Sequence, residues 1–399
     1  MVRVHKTIKP KYLPSLFIIV FLFFFQPSLT AQKKIYIKPW EWYKIHKIWD
    51  LKDESPYWVC KPTLVKLKNI LETNGYIVTG GPLPSPKNQD ILFVFDLDLK
   101  TVMSQHYPLH AQRPKKKIAL LWESEVVLRR NFNKKLHTYF NTLFTWNDDL
   151  VDNKKYFKFY WPQPYLKMID HRKSFNEKKF CVLIAGCKQF NHPQELYSQR
   201  REVIEFFENI PDSGFEFFGG GNNAQWNKDT TFYKNYRGPA PTIYSREDSV
   251  PYPITPGHAN KLECLKNYKF CICYENSTET GWVTEKIFDC FIAGCVPIYL
   301  GAHNITDFIP SECFIDRRMF TSNDELYSFL KNMTQETYEQ YITAIQNFLN
   351  SNAAQLFSSE FFIHTLLKRI ITNYNPSNYF STKEVEILYN AENTIPTKN

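Results

Sequence analysis

Residues 268–300, which read YKFCICYENSTETGWVTEKIFDCFIAGCVPIYL, decide the fold class of this chain. The apolar run at 270–274 predicts a buried strand, and the polar residues that follow it predict a loop. Residues 283–293 place their apolar side chains on one face of a helix, and residues 296–300 form a second apolar run. Because both strands are nearly continuously apolar, the pattern predicts a parallel, doubly wound α/β sheet.

The same alternation of strands and helices continues on both sides of this stretch. Further strands are predicted at 90–95, 118–122, 143–146, 180–185 and 215–218, and further helices at 196–209 and 361–371. A polar stretch that begins with two prolines, residues 162–179, separates two groups of strands, so we predict two lobes with a cleft between them. The predicted divisions are a leader at 1–31, a first lobe at 32–165, a second lobe at 175–350, and a helix with a fraying polar tail at 351–399.

The composition excludes several protein classes. The chain has 399 residues, 43 % of them hydrophobic and 22 % charged, which excludes general disorder. Four positive charges of the formal +9 precede the first apolar run, and the remaining charge of about +5 suits an anionic small molecule as well as a nucleic acid. The nine cysteines form no paired CxxC motifs, so a zinc site is not predicted, and Cys271 and Cys273 fit a strand in the core.

The amino-terminal segment has the features of a leader. Residues 13–25 are strongly apolar and follow a basic cluster. As a helix they would reach about 20 Å, against a hydrocarbon core of about 30 Å. With Ala31 as a small residue at a cleavage point, the segment predicts a signal peptide. The alternative is an uncleaved signal anchor that holds the protein to a membrane through residues 13–31.

The loop and helix start within residues 268–300 bring several polar side chains together. Ligands bind at the carboxyl ends of strands in open α/β sheets, so Glu275, Asn276, Glu285 and Lys286 are expected to converge on one crevice. The helix amino terminus offers free N–H groups and a partial positive charge, to which Lys286 adds a full charge. These features predict a phosphate site.

This segment resembles the donor-binding motif of the α1,3-fucosyltransferases, glycosyltransferase family 10. That signature runs Tyr-Lys-Phe, then an aromatic residue with Glu-Asn, then an aromatic residue with Val-Thr-Glu-Lys, and here it begins at Tyr268. The similarity continues through residues 294–301 to 314–316. The resemblance implies a GT-B fold of two Rossmann-like lobes, GDP-fucose as donor, and inversion at the sugar carbon with no metal required.

The resemblance also implies roles for individual residues. Lys286 would meet the donor phosphates, Glu285 would lie near the fucose and its developing charge, and Asn276 would contact the nucleotide sugar. Trp282 stands where many relatives have Tyr, so its ring can stack on the substrate but offers no phenolic hydrogen-bond donor. Glu275 shares the crevice and is counted with the substrate-binding residues.

Arg200 is a further candidate for holding the donor. It precedes Val203, Ile204 and Phe207 by three, four and seven residues, which places it on the packed face of the predicted helix. A guanidinium there needs an anion, and its two-pronged geometry suits a diphosphate. The family has an Arg at this place, with Arg201 as the neighbouring candidate and a solvated helix Arg as the alternative.

Inverting transfer needs a general base, which typically contributes about 10²- to 10⁴-fold. Glu123 follows the predicted strand at 118–122, so it lies at the ligand-facing end of the first lobe. The run Trp122-Glu123-Ser124 resembles the family's Glu-Ser-Pro motif, whose Glu is the base. Glu125 stands in place of the Pro and is a rival carboxylate. An apolar wall from Trp122 would raise the pKa of the base.

Asp96 and Asp98 match the Asp-x-Asp motif that binds metal in other glycosyltransferases. They lie in the first lobe, away from the predicted diphosphate site, so we interpret them as the end of a strand.

Together these features predict an exported enzyme that moves L-fucose from GDP-fucose to an oligosaccharide or glycoconjugate acceptor, with an α1,3 linkage to N-acetylglucosamine and no nucleic-acid partner. Its expected location is the Golgi lumen or membrane in a eukaryote, and the periplasm, envelope or medium in a bacterium. Two alternatives stay open. One is a GT-B transferase that uses another nucleotide sugar, and the other is a non-catalytic protein that binds a glycan or nucleotide.

Overall fold

The structure is a computed structural model of the chain. It describes residues 33–38, 60–79, 90–97, 116–170, 172–186, 188–219 and 256–396. The predicted leader at 1–31 and Asp98 lie outside the described residues. Within those ranges, no helix combines the length and the apolar composition that a membrane crossing requires.

The first lobe is built on a parallel sheet of six strands in the order β2-β1-β3-β4-β5-β6. These strands are β1 Lys34–Lys38, β2 Ile77–Thr79, β3 Ile91–Phe95, β4 Lys116–Leu121, β5 Thr142–Thr145 and β6 Tyr156–Lys158. Helices α1 Lys61–Thr73 and α2 Lys134–His137 belong to the same lobe. The strands predicted at 90–95, 118–122 and 143–146 are confirmed to within two residues.

The second lobe is built on a parallel sheet of five strands in the order β11-β10-β9-β7-β8. These strands are β7 Lys179–Ile184, β8 Phe215–Phe218, β9 Tyr268–Tyr274, β10 Val296–Leu300 and β11 Ile315–Asp316. Its helices include α3 Tyr197–Glu208, α4 Pro256–Leu265 and α5 Glu285–Ile292. The predicted α/β class with two parallel sheets is therefore confirmed.

Burial explains why these strands read as continuous apolar runs. Every residue of β3 is buried, and only Lys269 of β9 is partly exposed. Cys271 and Cys273 are buried on β9, as predicted. A parallel sheet is covered on both faces, so neither face selects polar side chains.

Four further helices follow: α6 Asn323–Lys331, α7 Gln335–Leu349, α8 Ser359–Ile370 and α9 Thr382–Glu392. Helices α6 and α7 pack on the second lobe, where Tyr327 of α6 contacts Phe180 and Phe207, whereas α8 and α9 return to α1 of the first lobe. The Ser359 hydroxyl on α8 lies 2.5 Å from that of Thr63 on α1, and Lys66 of α1 donates to Glu360 at 2.5 Å. The expectation that the chain frays after residue 371 was wrong, because Ser381 and Glu384 form a capping box that begins α9.

The two sheets direct two loops to one place. Glu123 comes two residues after β4, and Glu275 comes directly after β9, so each lies at the carboxyl end of a central strand. A single cluster of buried apolar side chains runs through both lobes. The packed sheets therefore fix the positions of the loops that carry the candidate residues.

Candidate active site

The loop after β9 is closed by a buried carboxylate. Glu275 has no exposed surface, and its Oε1 accepts hydrogen bonds from the backbone N and the Oγ1 of Thr284, both at 2.9 Å. Thr284 is the N-cap residue of α5. The pair therefore draws the start of α5 back to the end of β9, which places Glu285 and Lys286 at the strand end.

Lys286 is the cationic centre of this loop. Its Nζ lies 3.0 Å from Glu275 Oε2 and 3.3 Å from Glu285 Oε1, and it donates to Thr284 Oγ1 at 2.8 Å. Burial opposes the charge of Lys286, but the two carboxylates outweigh this effect and raise its pKa. The ammonium group therefore stays protonated.

Glu285 belongs to the same network, and its carboxyl is ionised. Burial alone would raise the pKa of its carboxyl, but Lys286 and Lys261 outweigh burial and lower the pKa. Lys261 lies on α4 and also pairs with Asp289 at 2.6 Å. Two cations from different helices therefore keep the Glu285 carboxylate ionised at the start of α5.

Arg200 reaches this loop from α3. It is 4 % exposed, and its Nη2 donates to the carbonyl of Tyr274 at 2.6 Å. Burial lowers the pKa of Arg200, while its charge in turn acts on the pKa of Lys286. Its Nε is buried and has no hydrogen-bond acceptor in the described part of the chain. The prediction that Arg200 lies on the packed face is confirmed, whereas Arg201 is partly exposed.

The backbone explains why α3 and this loop meet. Leu196 N donates to the carbonyl of Asn276 at 3.1 Å, and Thr278 N donates to that of Gln194 at 3.0 Å. Helix α3 begins one residue after Leu196. The chain before α3 is thus hydrogen-bonded to the loop after β9, and this pairing fixes Arg200 beside Tyr274.

Glu123 brings a carboxyl group from the first lobe. It is half-buried, and its pKa is raised to about 7, first by burial and then by the charge of Asp96. Lys188 and Lys286 act in the opposite direction, and Glu285 adds to the rise. Charges of both lobes therefore act on this one group.

Glu125, the rival of Glu123, lies at a contact between the lobes. Its backbone N donates to Glu279 Oε2 at 3.2 Å, and Glu279 also accepts from the Ser277 hydroxyl at 2.7 Å. Glu279 is 3 % exposed, and burial is the main cause that raises its pKa to about 7. Sequence reasoning missed Glu279, because no motif marks its position.

Tyr197 is a second residue that sequence reasoning missed. It is 3 % exposed, and Asn276 acts on the pKa of its phenol. Burial raises the pKa of its phenol, on which Arg200, Lys286 and Glu123 also act. Its place three residues before Arg200, on the same face of α3, is the signal that could have found it.

Trp282 is packed between the lobes. Its side chain is 1 % exposed, and its ring centroid lies 4.4 Å from that of Trp146 and 5.2 Å from that of Trp161. Trp122 extends the cluster, at 4.3 Å from Trp161. These indoles hold the loop after β9 against the first lobe, and stacking of Trp282 on a substrate stays a prediction.

Gly281 lies at a close contact between the two lobes. Its φ is +83°, and a Cβ atom there would clash with the carbonyl O of Trp146 and lie 2.6 Å from Asp148 Oδ2. Its backbone N donates to Asn304 Oδ1 at 2.8 Å, and Asn304 donates to Asp148 at 3.1 Å. Only glycine fits this contact without displacing the first lobe.

Two other features lie apart from the candidate residues. A cavity of about 800 Å³ is lined from both lobes and the tail, by residues that include Asp148, Phe308 and Arg369 and by none of the predicted site residues. Asp96, predicted to end a strand, directly follows β3. Among the described residues, no three His, Cys, Asp or Glu side chains gather as metal ligands.

Comparisons with known proteins agree with the motif in the second lobe. Residues 251–362 match the family model "Glycosyltransferase family 10 (fucosyltransferase) C-term". The chain is 39 % identical over 83 residues to an alpha-(1,4)-fucosyltransferase of Arabidopsis thaliana, covering 20 % of this chain and 21 % of the relative. It is 36 % identical over 72 residues to the alpha-(1,3)-fucosyltransferase FucT of Helicobacter pylori, covering 18 % and 15 %. The matches thus span about a fifth of these relatives or less.

The fold is also similar to that of solved structures. A crystal structure of Anabaena Alr3699/HepE in complex with UDP-glucose matches with a TM-score of 0.50 over 84 % of this chain and 99 % of that one. At 10 % identity this is a likeness of fold alone. The GT-B architecture that the motif implied is confirmed. The motif that begins at Tyr268 lies inside the 251–362 segment that matches the family 10 model, as the resemblance predicted.

Proposed function

We propose that this protein is an inverting fucosyltransferase that moves L-fucose from GDP-fucose to a glycan hydroxyl, forming an α1,3 linkage to N-acetylglucosamine. One observation carries the proposal. The charges of Lys286 and Glu285 of the second lobe act on the carboxyl of Glu123 of the first lobe, so the candidate proton acceptor is electrostatically coupled to the cationic loop after β9. The family 10 match of residues 251–362 supports fucose as the transferred sugar.

The donor diphosphate is held by the second lobe. Arg200 offers a buried Nε–H without an acceptor in the described structure, and Lys286 offers a protonated ammonium group at the start of α5. Charge-assisted bonds from a guanidinium and an ammonium group are the strong kind, and the free N–H groups of a helix start add to them. These groups bind GDP-fucose and stabilise GDP as it leaves.

Glu123 acts as the general base. A carboxyl with a pKa of about 7 is partly ionised at neutral pH and has a useful affinity for a proton. The acceptor hydroxyl gives its proton to Glu123 while its oxygen bonds to C1 of fucose. The bond from C1 to the diphosphate breaks on the opposite side, and GDP leaves with the electron pair. Attack from the face opposite the leaving group inverts C1.

Glu285 contributes a fixed negative charge. Because Lys286 and Lys261 keep it ionised, it stabilises the positive charge that develops on the sugar ring. The cations of the pocket neutralise the departing diphosphate, so turnover is expected to persist in excess EDTA.

A donor and acceptor assay tests the proposal. The chain is incubated with GDP-fucose and with either Galβ1-4GlcNAc, whose glucosamine O3 is free, or Galβ1-3GlcNAc, whose O4 is free. We expect a fucosylated product with the first acceptor, identified by mass and by the linkage in its NMR spectrum. UDP-glucose serves as the control donor and is expected to give no product. Transfer from UDP-glucose alone, or none from either donor, would overturn the proposal, and product with the second acceptor alone would replace the α1,3 linkage by α1,4.

A further inference from the structure

The backbone of Glu123 is held on both sides by buried side chains. Its N–H donates to Asp96 Oδ1 at 3.0 Å, and its carbonyl accepts from Asn131 Nδ2 at 3.0 Å. The same Nδ2 donates to Asp96 Oδ1 at 2.6 Å, so the two clamping side chains are bonded to each other. Trp122 N donates to that oxygen as well, at 2.6 Å. One carboxylate oxygen therefore gathers three donors around the loop that carries Glu123.

Asp96 is itself fixed in an uncommon conformation. It has no exposed surface, and its φ is +58°, in the left-handed region that Asp enters more readily than most residues. Its backbone N donates to the carbonyl of Leu120 on β4 at 2.9 Å. The turn after β3 thus aims the Asp96 carboxylate beneath the turn after β4. A non-glycine residue at positive φ persists where its surroundings hold it there.

Asn131 is anchored equally well. It has no exposed surface, and its Oδ1 accepts from Leu97 N at 2.9 Å. Its carbonyl lies 2.8 Å from His137 Nε2, a buried ring nitrogen on α2. Because both members of the clamp are fixed by other elements, the Glu123 loop has little freedom to move.

We propose that Asp96 is a positioning residue for fucosyl transfer, which holds the Glu123 carboxyl at the cleft through the backbone of its loop. The inference rests on the proposed function, because it needs Glu123 to be the base. Asp96 does not touch the substrates in this role. A displacement of a reacting group by about 1 Å can reduce turnover about 100-fold, so a rigid clamp beneath the base has a measurable effect.

Asp96 also acts on Glu123 through its charge. It is the strongest of the charged neighbours that raise the pKa of Glu123, second only to burial. The ionisable groups that face Glu123 come from both lobes and are Asp96, Cys60, Lys188, Tyr197, Glu285 and Lys286. Asp96 thus both fixes the base and keeps its proton affinity near neutral pH.

Asp96→Asn separates these two effects, because the amide oxygen can still accept the three donors while the charge is lost. We expect its plateau kcat to stay within a few fold of the unmodified chain, and the acid limb of kcat against pH to move about one unit lower. Asp152→Asn is the matched control. Asp152 Oδ1 also accepts three backbone N–H groups at 2.8 Å, but in an exposed turn, so its limb should not move.

Asp96→Ala removes the clamp itself. We expect kcat to fall about 100-fold with the KM for GDP-fucose unchanged. If both Asp96 variants keep the kcat and the pH limb of the unmodified chain, Asp96 is not a positioning residue. Thermal unfolding identifies any variant that fails to fold. Because glycine adopts the positive φ of Asp96 without strain, Asp96→Gly removes the same carboxylate and decides the question where Asp96→Ala does not fold.

A second readout keeps this test separate from the proposed function. An NMR titration of ¹³C-labelled glutamate carboxyls follows Glu123 directly, with Glu123→Gln used to assign its signal. We expect the Glu123 titration to move to lower pH in Asp96→Asn and not in Asp152→Asn. Transfer by the unmodified chain, with an unchanged kcat in Asp96→Ala and an unmoved titration in Asp96→Asn, overturns the inference alone. Absence of fucosyl transfer by the unmodified chain, with a moved titration in Asp96→Asn, overturns the proposed function alone.

Discussion

Glu123, on the loop after β4, and Glu285, the first residue of α5, are two cleft carboxyls whose pKa values move in opposite directions. Burial pushes the pKa of both upward. Glu123 has Asp96 as its strongest charged neighbour and titrates near pH 7. Glu285 has Lys286 and Lys261, which overcome burial and keep it ionised.

The difference shows that the neighbouring charged groups, more than burial, decide the pKa of each glutamate and therefore its role. The first-lobe loop combines a carboxyl with another acid and so makes a group that can take up a proton. The second-lobe loop combines carboxylates with cations and so makes fixed charges. Four substitutions or conditions can break or sharpen this comparison.

Replacing Glu123 by Gln should have the largest effect. We expect transfer to fall by about 10²- to 10⁴-fold, because the amide cannot accept the proton, while GDP binding is retained. Glu125→Gln is the matched control and should keep its turnover, because the backbone of Glu125, through its N–H to Glu279, makes the contact seen here. Turnover rates and GDP binding by calorimetry measure both effects. Equal losses in the two variants would remove the distinction between these carboxyls.

The pH dependence of kcat should show the second-largest effect, because Glu123 and Glu285 have oppositely shifted pKa values. Glu123 is active when deprotonated, so kcat should fall below a pH near its pKa of about 7, roughly tenfold per unit and about 100-fold by pH 5. Glu285, with a lowered pKa, should add no limb in that range. Glu279 also titrates near pH 7, so Glu279→Gln is the needed control. If the acid limb of the pH profile disappears in Glu279→Gln, the limb reports the titration of Glu279 at the contact between the lobes and not that of Glu123.

Lys286→Ala tests the fixed charges of the second lobe. It should weaken GDP-fucose binding about tenfold to a hundredfold and also reduce kcat, because both the bound and the departing diphosphate lose a charged donor. Lys167→Ala is a suitable control, since Lys167 is 60 % exposed in a surface pair with Asp170. Binding and initial-rate measurements provide the two constants. Unchanged GDP-fucose binding in Lys286→Ala would place the diphosphate elsewhere.

Gly281→Ala should have the smallest effect on the chemistry and a clear effect on stability. Gly281 and Gly75 both have positive φ, +83° and +79°, but only a Cβ at 281 meets atoms of the other lobe. We expect Gly75→Ala to lower the free energy of unfolding by about 1–3 kcal/mol through backbone strain. Gly281→Ala should lower it further, because it also meets the Trp146 carbonyl. Denaturant unfolding measures the difference. Equal losses of unfolding free energy in the two variants would show that the lobes shift apart at this contact without a further cost in stability.

Much of the fold could be predicted from the sequence. The strands at 270–274 and 296–300 were predicted because a parallel sheet covers both faces of each strand and leaves a continuous apolar run. The buried position of Arg200 followed from helical periodicity. Helix α9 was missed because its few apolar side chains give a weak pattern, although Ser381 and Glu384 carry a capping signal.

The candidate site was only partly within reach of sequence reasoning. Glu285 and Lys286 stand next to each other in a motif, so their neighbourhood could be read directly. Glu279 and Tyr197 could not be found in this way, because their contacts join segments with no shared motif. Asp96 was correctly interpreted as the end of a strand, but only the structure shows its carboxylate bonded to the Glu123 loop.

The sequence by itself determined the two parallel sheets and the place of Glu123 and Lys286 at strand ends, because strand periodicity and helix starts are local properties of the chain. Only the tertiary structure decided how these groups are charged. The proton affinity of Glu123 depends on Asp96, 27 positions away along the chain, and on Lys286 in the other lobe. Such electrostatic effects act through space, so they exist only once the folded chain has brought those segments together.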